Sequence, residues 1–519
     1  MSRLSRRQFL RIAAATGAGA GIGVPLLSGI SGSSSTGVVL TSRLRLPAPF
    51  QVPLSIPPVL SPTRSDATGD HYEMTQRRAR VEILPGVNTP IWGYDGIFPG
   101  PTIHARRGRT VTVHHRNDLP VPVVVHLHGS RTPHGSDGYP TDLIVPPGWQ
   151  RPPPTPMLPA DPHANVVVGH RDYVYPMTQQ AATLWYHDHR MGFTGASVWR
   201  GLAGFFLIHD DTEQALPLPG GDRDLPIMLT DRAFDADGTL RYPSLEPDLY
   251  DTPGVHDPYS SGVLGDVILV NGRPWPYAEV VGARHRLRIL NASNARRYRL
   301  TLDPPPPGGG GLVQIGSDGG LLERPIAHDA IDIAEAERFD IVIDFGRYRP
   351  GQNVVLRNAF GGGGTANVMR FQVTRRVRDD SHIPANLATI EPVPLSGATT
   401  TRHFLFQNRG GAMGWQINGQ PFEPTVVNAA TRLGDTEVWT LIADFHHPIH
   451  LHLVQFQILS RGLNGPGPHD HGWKDVIDLR PAEEATIVTR FIGYPGRYVF
   501  HCHNLEHEDM AMMGNFTAS

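Results

Sequence analysis

The sequence has one cysteine, Cys502. No intrachain disulfide is open to it, and an exported chain that keeps an unpaired thiol has a chemical reason to do so. Charge is scarce as well. Asp, Glu, Lys and Arg make up 18% of the residues and the formal net charge is −3, which leaves no basic footprint for nucleic acid or an anionic membrane surface. Gly (56) and Pro (49) are plentiful instead. Few charges with many turn formers fit short strands joined by turns rather than long helices. A length of 519 residues gives room for about three domains.

The amino terminus reads as an address. Ser5-Arg6-Arg7-Gln8-Phe9-Leu10-Arg11 precedes a mildly apolar stretch, residues 12–27, rich in Ala and Gly. A basic region before a short apolar run is the pattern of a signal peptide, and the paired arginines followed by Phe9-Leu10 match the twin-arginine signature. The run is interrupted by Pro25 and falls short of the roughly 20 apolar residues that a membrane span takes. We therefore expect a signal peptide and linker over residues 1–35, the twin-arginine export machinery as partner, a periplasmic or extracellular destination, and no membrane association of the mature form. Residues 29–35 are Gly/Ser-rich and 47–62 Pro-rich; both read as linkers, so the folded body is expected to begin near Asp70.

One plan occurs three times. Tyr94-Asp95-Gly96-Ile97-Phe98-Pro99 leads to the Gly-opened strand pattern of residues 108–117. Val270-Asn271-Gly272-Arg273-Pro274 leads to residues 282–291, and Ile417-Asn418-Gly419-Gln420-Pro421 to residues 434–442. Each copy is a turn, a short connection and an alternating strand, and the copies lie a domain length apart. The expectation is an all-β chain of three Greek-key β-sandwiches, over residues 70–216, 222–375 and 400–519. After the repeated strand the first copy reaches His126-Leu127-His128 and the third His447-Pro448-Ile449-His450-Leu451-His452, whereas the second reaches Arg297-Tyr298-Arg299. The middle unit reads as a spacer without a metal of its own.

The chemistry concentrates at the carboxyl terminus. Tyr498-Val499-Phe500 reads as a buried strand running into His501-Cys502-His503, with His507, Met510, Met512 and Met513 following. Side chains alternate along a strand, so Cys502 should face one way and His501 and His503 the other. One strand would then serve two sites. A Cys-His-His set with a weak axial Met is the electron-transfer arrangement of copper. Zinc is the rival for His-rich sites, but it does no redox chemistry and gains nothing from this set. Four same-face pairs, His126/His128, His187/His189, His450/His452 and His501/His503, could hold about three further ions at two or three ligands each. Partners at i and i+2 stand roughly 6.5–7 Å apart, a separation suited to neighbouring ions rather than to chelation of one. The remaining histidines, including His114, His115, His134, His446, His469 and His471, read as ordinary polar or surface residues.

These motifs, His-x-His-Gly, His-Asp-His, His-Pro-x-His-x-His and His-Cys-His-x-x-x-His with a Met ten residues after Cys502, resemble those of the multicopper oxidases. The likeness spans nearly the whole chain after the signal. It is nearest to the bacterial spore-coat-type laccases, with phenoxazinone synthase and bilirubin oxidase as further kin, and it also rests on residues 136–140, 184–189, 314–322, 472–475 and 505–509. The resemblance implies cupredoxin-like domains and four copper ions. His447, Cys502, His507 and axial Met512 would hold the type 1 ion, and His126 and His450 the type 2 ion. One type 3 ion would fall to His128, His187 and His503, the other to His189, His452 and His501. Met510 and Met513 are rivals for the axial place; spacing favours Met512. Glu508 and Asp137 match the family's proton-supplying acids.

The implied reaction is one-electron oxidation of a small aromatic reductant, a phenol or an aromatic amine, coupled to reduction of dioxygen to water. Two alternatives differ in class. A cuprous oxidase of copper tolerance would carry a Met-rich insert, which this sequence of 11 Met lacks. A non-catalytic exported binding protein of this fold would have lost its ligands, and here every one is present. Substrate choice is expected to lie in the loops 407–415 and 461–473.

Overall fold

The computed structural model describes residues 35–411 and 413–519. The expected export signal lies outside the described residues. Among the described residues no helix is long and apolar enough to cross a membrane.

Strands dominate, and they gather into facing pairs of sheets in three successive blocks of sequence. In the first block a five-stranded sheet built on Gly69–Glu82 faces a four-stranded sheet. The latter runs Gly100–Arg106, Ala203–His209, Ala182–Asp188, Val125–His128. Alternating burial along Val111–Asn117 points Val111 and Val113 into a core with Tyr94, Tyr173, Leu184 and Phe206. The middle block pairs an eight-stranded with a five-stranded sheet around Ile227, Leu287, Ile341 and Phe371. The last block pairs two five-stranded sheets around Trp439, Phe456, Phe500 and Cys502. Two-layer sandwiches of this kind bury one face of each sheet against the other.

The folded body begins well before Asp70, contrary to the sequence reading. Val38–Leu40 pairs in parallel with Val263–Gly265. Leu44, Leu46, Phe50 and Leu54 pack on the middle core. The Pro-rich stretch is a strap rather than a free linker. Proline gives no ladder donor, but the residues between the prolines do: the Phe50 amide donates to the Trp275 carbonyl at 2.8 Å, Leu54 to Tyr277 at 2.7 Å and Leu60 to Thr102 at 2.8 Å.

Two strand pairs set up the chemistry. Val125–His128 lies antiparallel to Ala182–Asp188 with His126 opposite His187. His447–Leu451 lies antiparallel to Gly496–Cys502 with His450 opposite His501 and Ile449 opposite Cys502. Opposed residues share a face, so the second pair presents imidazoles on one side and the thiol on the other. Two short helices bind the first block to the last. The Asp509 carboxylate at the end of Leu505–Asp509 accepts the Thr194 and Gly195 amides at 2.7 and 2.9 Å, where Thr194–Arg200 starts.

Candidate metal centres

On one face of strand Gly496–Cys502 three ligand atoms form a near-equilateral triangle. Cys502 Sγ lies 3.4 Å from His447 Nδ1 and 3.5 Å from His507 Nδ1, and the two nitrogens are 3.2 Å apart. All three side chains are fully buried. Each ring is fixed from behind: His447 Nε2 donates to Asp444 Oδ1 at 2.9 Å, and His507 Nε2 to the Ser261 carbonyl at 3.1 Å. Both Nδ1 lone pairs are thereby left for a metal, an orienting role typical of groups behind the ligands. Burial pushes the Cys502 thiol well above its usual range, so the thiolate forms only with a cation beside it. Burial, with His447 next, holds His507 well below its usual value and keeps it neutral.

Met512 is tied to this site through its backbone. Its amide donates to the His507 carbonyl at 3.0 Å and its carbonyl accepts from the Cys502 amide at 3.1 Å, and its side chain shares a core cluster with Cys502 and Met510. Met513 packs in a different cluster, with Tyr139 and Phe422. Trp415 stacks on His507 at 3.5 Å between ring centroids and 23° between planes, and its indole donates to the Ser260 carbonyl at 2.8 Å. Trp415, at the end of one of the two loops expected there, thus covers the thiolate site. The other loop expected there, residues 461–473, packs instead on the middle sandwich: the His469 ring stands 5.1 Å from His328 and 6.0 Å from Phe339.

Eight buried imidazoles meet on the opposite face, four from the first sandwich and four from the last. His126 Nε2 and His450 Nε2 are 3.4 Å apart. His501 Nε2 lies 3.2 Å from His189 Nε2 and 3.3 Å from His452 Nε2. Ring centroids of His128, His187 and His503 stand 5.0–5.8 Å from one another. The ligand atoms of His126/His450/His452, of His126/His128/His187 and of His189/His452/His501 each fall within 4.8 Å. The nitrogens with no protein partner are informative. Among the described residues they include His128 Nδ1, His187 Nε2 and both nitrogens of His503, all buried. Buried polar atoms without partners are costly, and these belong to the three imidazoles that the resemblance assigns to one ion; His189 Nδ1 is also without a hydrogen-bond partner. A soft thiolate with imidazoles beside an all-imidazole cluster is a donor set suited to copper. Burial, then neighbouring rings, keeps His126, His128, His452 and His503 far below their usual pKa, His187 at about 3. The rings are therefore neutral and free to bind.

Comparison with known proteins agrees. Two multicopper oxidase family models match residues 75–213 and 393–519. The chain is 38% identical to a laccase of Bacillus stratosphericus, over 89% of this chain and 97% of the relative. The chain belongs to the multicopper oxidases. It is also 35% identical to the bilirubin oxidase of Albifimbria verrucaria, over 91% of this chain and 81% of that one. Among solved structures it superposes on the laccase of Pediococcus acidilactici with a TM-score of 0.79 at 30% identity, covering 92% of this chain and 96% of that chain.

Two carboxyl groups reach the cluster of this laccase-like oxidase through different imidazoles. Glu508 Oε2 is 3.2 Å from His501 Nδ1, Oε1 is 3.4 Å from His189 Nδ1, and the Thr194 hydroxyl donates to Oε1 at 2.6 Å. Burial raises Glu508, but His189 and His501 outweigh it and hold the acid below its usual range. Asp137 Oδ2 accepts from His452 Nδ1 at 2.8 Å, and the Asp137 carbonyl accepts from His126 Nδ1 at 2.5 Å. Burial, with Asp142 adding to it, pushes Asp137 well above its usual range. Gly138 makes this turn possible. It has φ +81°, and a Cβ there would collide with the Val125 carbonyl.

Gly129, straight after His128, is equally constrained. With φ +87°, a Cβ would stand 2.6 Å from Arg338 Nη2 and 2.7 Å from Asp475 Oδ2. Gly129→Ala is expected to cost about 1–3 kcal/mol of stability, as overpacking does, and thermal unfolding of the copper-loaded oxidase will show it.

Sequence reading missed these supports. Asp444, the Ser261 carbonyl and Asp475 each orient an imidazole, yet they lie outside any His-centred motif. Of the histidines read as polar or surface residues, His115 and His446 are buried; His115 Nδ1 meets Gln76 Nε2 at 2.7 Å.

Proposed function

We propose that this oxidase takes single electrons from small phenols or aromatic amines at the thiolate site and delivers them to dioxygen at the imidazole cluster. One observation carries the reading: Cys502 and His501 are neighbours on one strand yet belong to the two different sites. A few covalent bonds therefore join the place where electrons enter to the place where they are used. Copper, when bound, supplies one-electron acceptance beside the thiolate and four-electron reduction of dioxygen at the cluster. In our assignment His447, Cys502, His507 and Met512 would hold the type 1 ion. His126 and His450 would hold the type 2 ion, His128, His187 and His503 one type 3 ion, and His189, His452 and His501 the other. Residues 70–216 and 400–519 are the two domains that share the cluster, with 222–375 between them as a domain without copper.

Each chain group then has a task. Asp444 and the Ser261 carbonyl hold the two type 1 imidazoles in the tautomer that offers Nδ1. Trp415 and the surrounding apolar core exclude water from the thiolate. Glu508, close to the His189 and His501 rings, and Asp137, hydrogen-bonded to His452, hand protons to reduced oxygen, as positioned carboxyl groups do. The twin-arginine signature of residues 5–11 supports export after folding to a periplasmic or extracellular site, with copper already loaded.

The test is oxygen uptake by copper-loaded protein with a dimethoxyphenol, an o-aminophenol and Cu(I) in parallel. Rapid uptake with the organic donors is expected. Uptake mainly with Cu(I) would replace this reading with a cuprous oxidase. A second expectation concerns the thioether. Met512→Leu would remove a weak thioether donor and should raise the type 1 potential; a redox titration that shows no rise would return that role to Met510.

A further inference from the structure

We propose that Arg338, a residue of the middle sandwich, is a positioning residue for the imidazole cluster, acting through Asp475. The inference rests on the ligand assignment above. Arg338 touches no imidazole. It is fully buried, and every donor it has is used. Nη1 and Nη2 fork onto Asp475 Oδ1 and Oδ2 at 2.6 and 2.5 Å, the planar two-point grip that only a guanidinium provides. Nε donates to the Thr183 carbonyl at 2.9 Å, Nη1 to Ala336 at 3.0 Å and Nη2 to Asp318 at 3.1 Å. One side chain is thus fixed to all three sandwiches.

Asp475 passes that fixation to two imidazoles. His128 Nε2 donates to Asp475 Oδ1 at 3.1 Å, and His450 Nδ1 donates to the Asp475 carbonyl at 2.8 Å. The two rings stack at 3.6 Å and 15°. They are consequently turned in opposite senses. His450 keeps Nε2 for the cluster, facing His126 Nε2, whereas His128 keeps Nδ1, which has no protein partner. A stacked pair that offers different nitrogens needs one rigid acceptor to set both tautomers, and Asp475 held by Arg338 is that acceptor.

Behind the pair lies a second cation. Lys474 is the only lysine in the sequence, and it is fully buried. Its Nζ stands 3.0 Å from both Asp318 Oδ2 and Glu337 Oε1. Asp318 in turn accepts the Arg338 amide at 2.8 Å and the Val476 amide at 3.2 Å. The strand that follows Asp475 and the strand that begins with Arg338 are thereby locked together. The middle sandwich brings no imidazole to the cluster but does bring the clamp that aims two of them.

A buried ion pair between sandwiches could also be mere glue, so the test must separate aiming from stability. Arg338→Met and Arg338→Lys would be prepared as copper-loaded full chains beside Arg286→Met. Arg286 is another buried arginine, and it joins the first and middle sandwiches through Glu213 at 2.7 Å, away from both sites. Copper content, the visible band of the thiolate site and the paramagnetic resonance of type 2 copper would be read under competition with a chelator. The expected result for both Arg338 variants is cluster copper held roughly 10–100-fold more weakly, the range seen when groups behind ligands are removed, with the thiolate band intact. Lysine, lacking the fork, should restore only part of the loss, and Arg286→Met should lower thermal stability without this selectivity. Should Arg338→Lys keep full cluster copper and an unshifted type 2 resonance, the proposal is overturned. It is equally overturned if thiolate and cluster copper are lost together in step with Arg286→Met. A parent protein without a thiolate band or cluster copper would instead count against the ligand assignment.

Discussion

Cys502→Ser is expected to abolish oxidation of phenols and aromatic amines and to erase the visible band of the thiolate site. The variant should lose about one copper of about four per chain, because the cluster's eight imidazoles are untouched. Two properties of the site make the effect complete. Serine offers a hard oxygen of much higher pKa, and in a pocket that already pushes the softer thiol upward it will not ionise beside a metal. The side chain also stands where electrons must pass, on the strand position between His501 and His503. Retention of the cluster's resonance together with loss of turnover would show that the two sites assemble independently. Measurable turnover above the uncatalysed rate would mean that electrons reach the cluster by another path.

The second large effect is expected at Glu508. Gln keeps the shape and can still accept from the Thr194 hydroxyl, which lies 2.6 Å from Oε1, but it cannot carry a proton. Glu508→Gln should lower kcat by roughly 10²–10⁴-fold, the usual worth of a positioned acid or base, while leaving the thiolate band unchanged. Anaerobic reduction of the thiolate site by substrate should proceed at the parent rate, since that half of the cycle needs no proton at the cluster. A kcat close to the parent's would assign proton delivery to Asp137 alone.

The metal-binding half of the molecule was largely legible in the sequence because strand alternation is a local rule. His501-Cys502-His503 and the three other His-x-His pairs declare two faces at once, and the triangle at Cys502 and the cluster behind it fall on those faces. The supports were not legible. Arg338, Asp475 and His128 meet only after three sandwiches dock, and no spacing rule links positions so far apart. Proline signals the absence of a ladder, so the strap over residues 47–62 looks like a linker in sequence, whereas intervening amides such as those of Phe50 and Leu54 still find acceptors. Trp415 sat in a loop expected to lie over the thiolate site, but its stacking on His507 depends on a contact between two remote turns.

The solitary lysine has a practical consequence. Lys474 is sealed between the middle and last sandwiches, so the folded surface carries no side-chain amine for an acylating reagent or an aldehyde to find. A lysine-specific protease likewise has one bond to cut, after Lys474, and it reaches that bond only when the docked sandwiches part. The cut releases residues 475–519 and severs the Cys502 strand from the rest. Its rate is therefore a one-event clock for the opening of this interface, read from two bands on a gel, and copper that holds the sandwiches together should slow it.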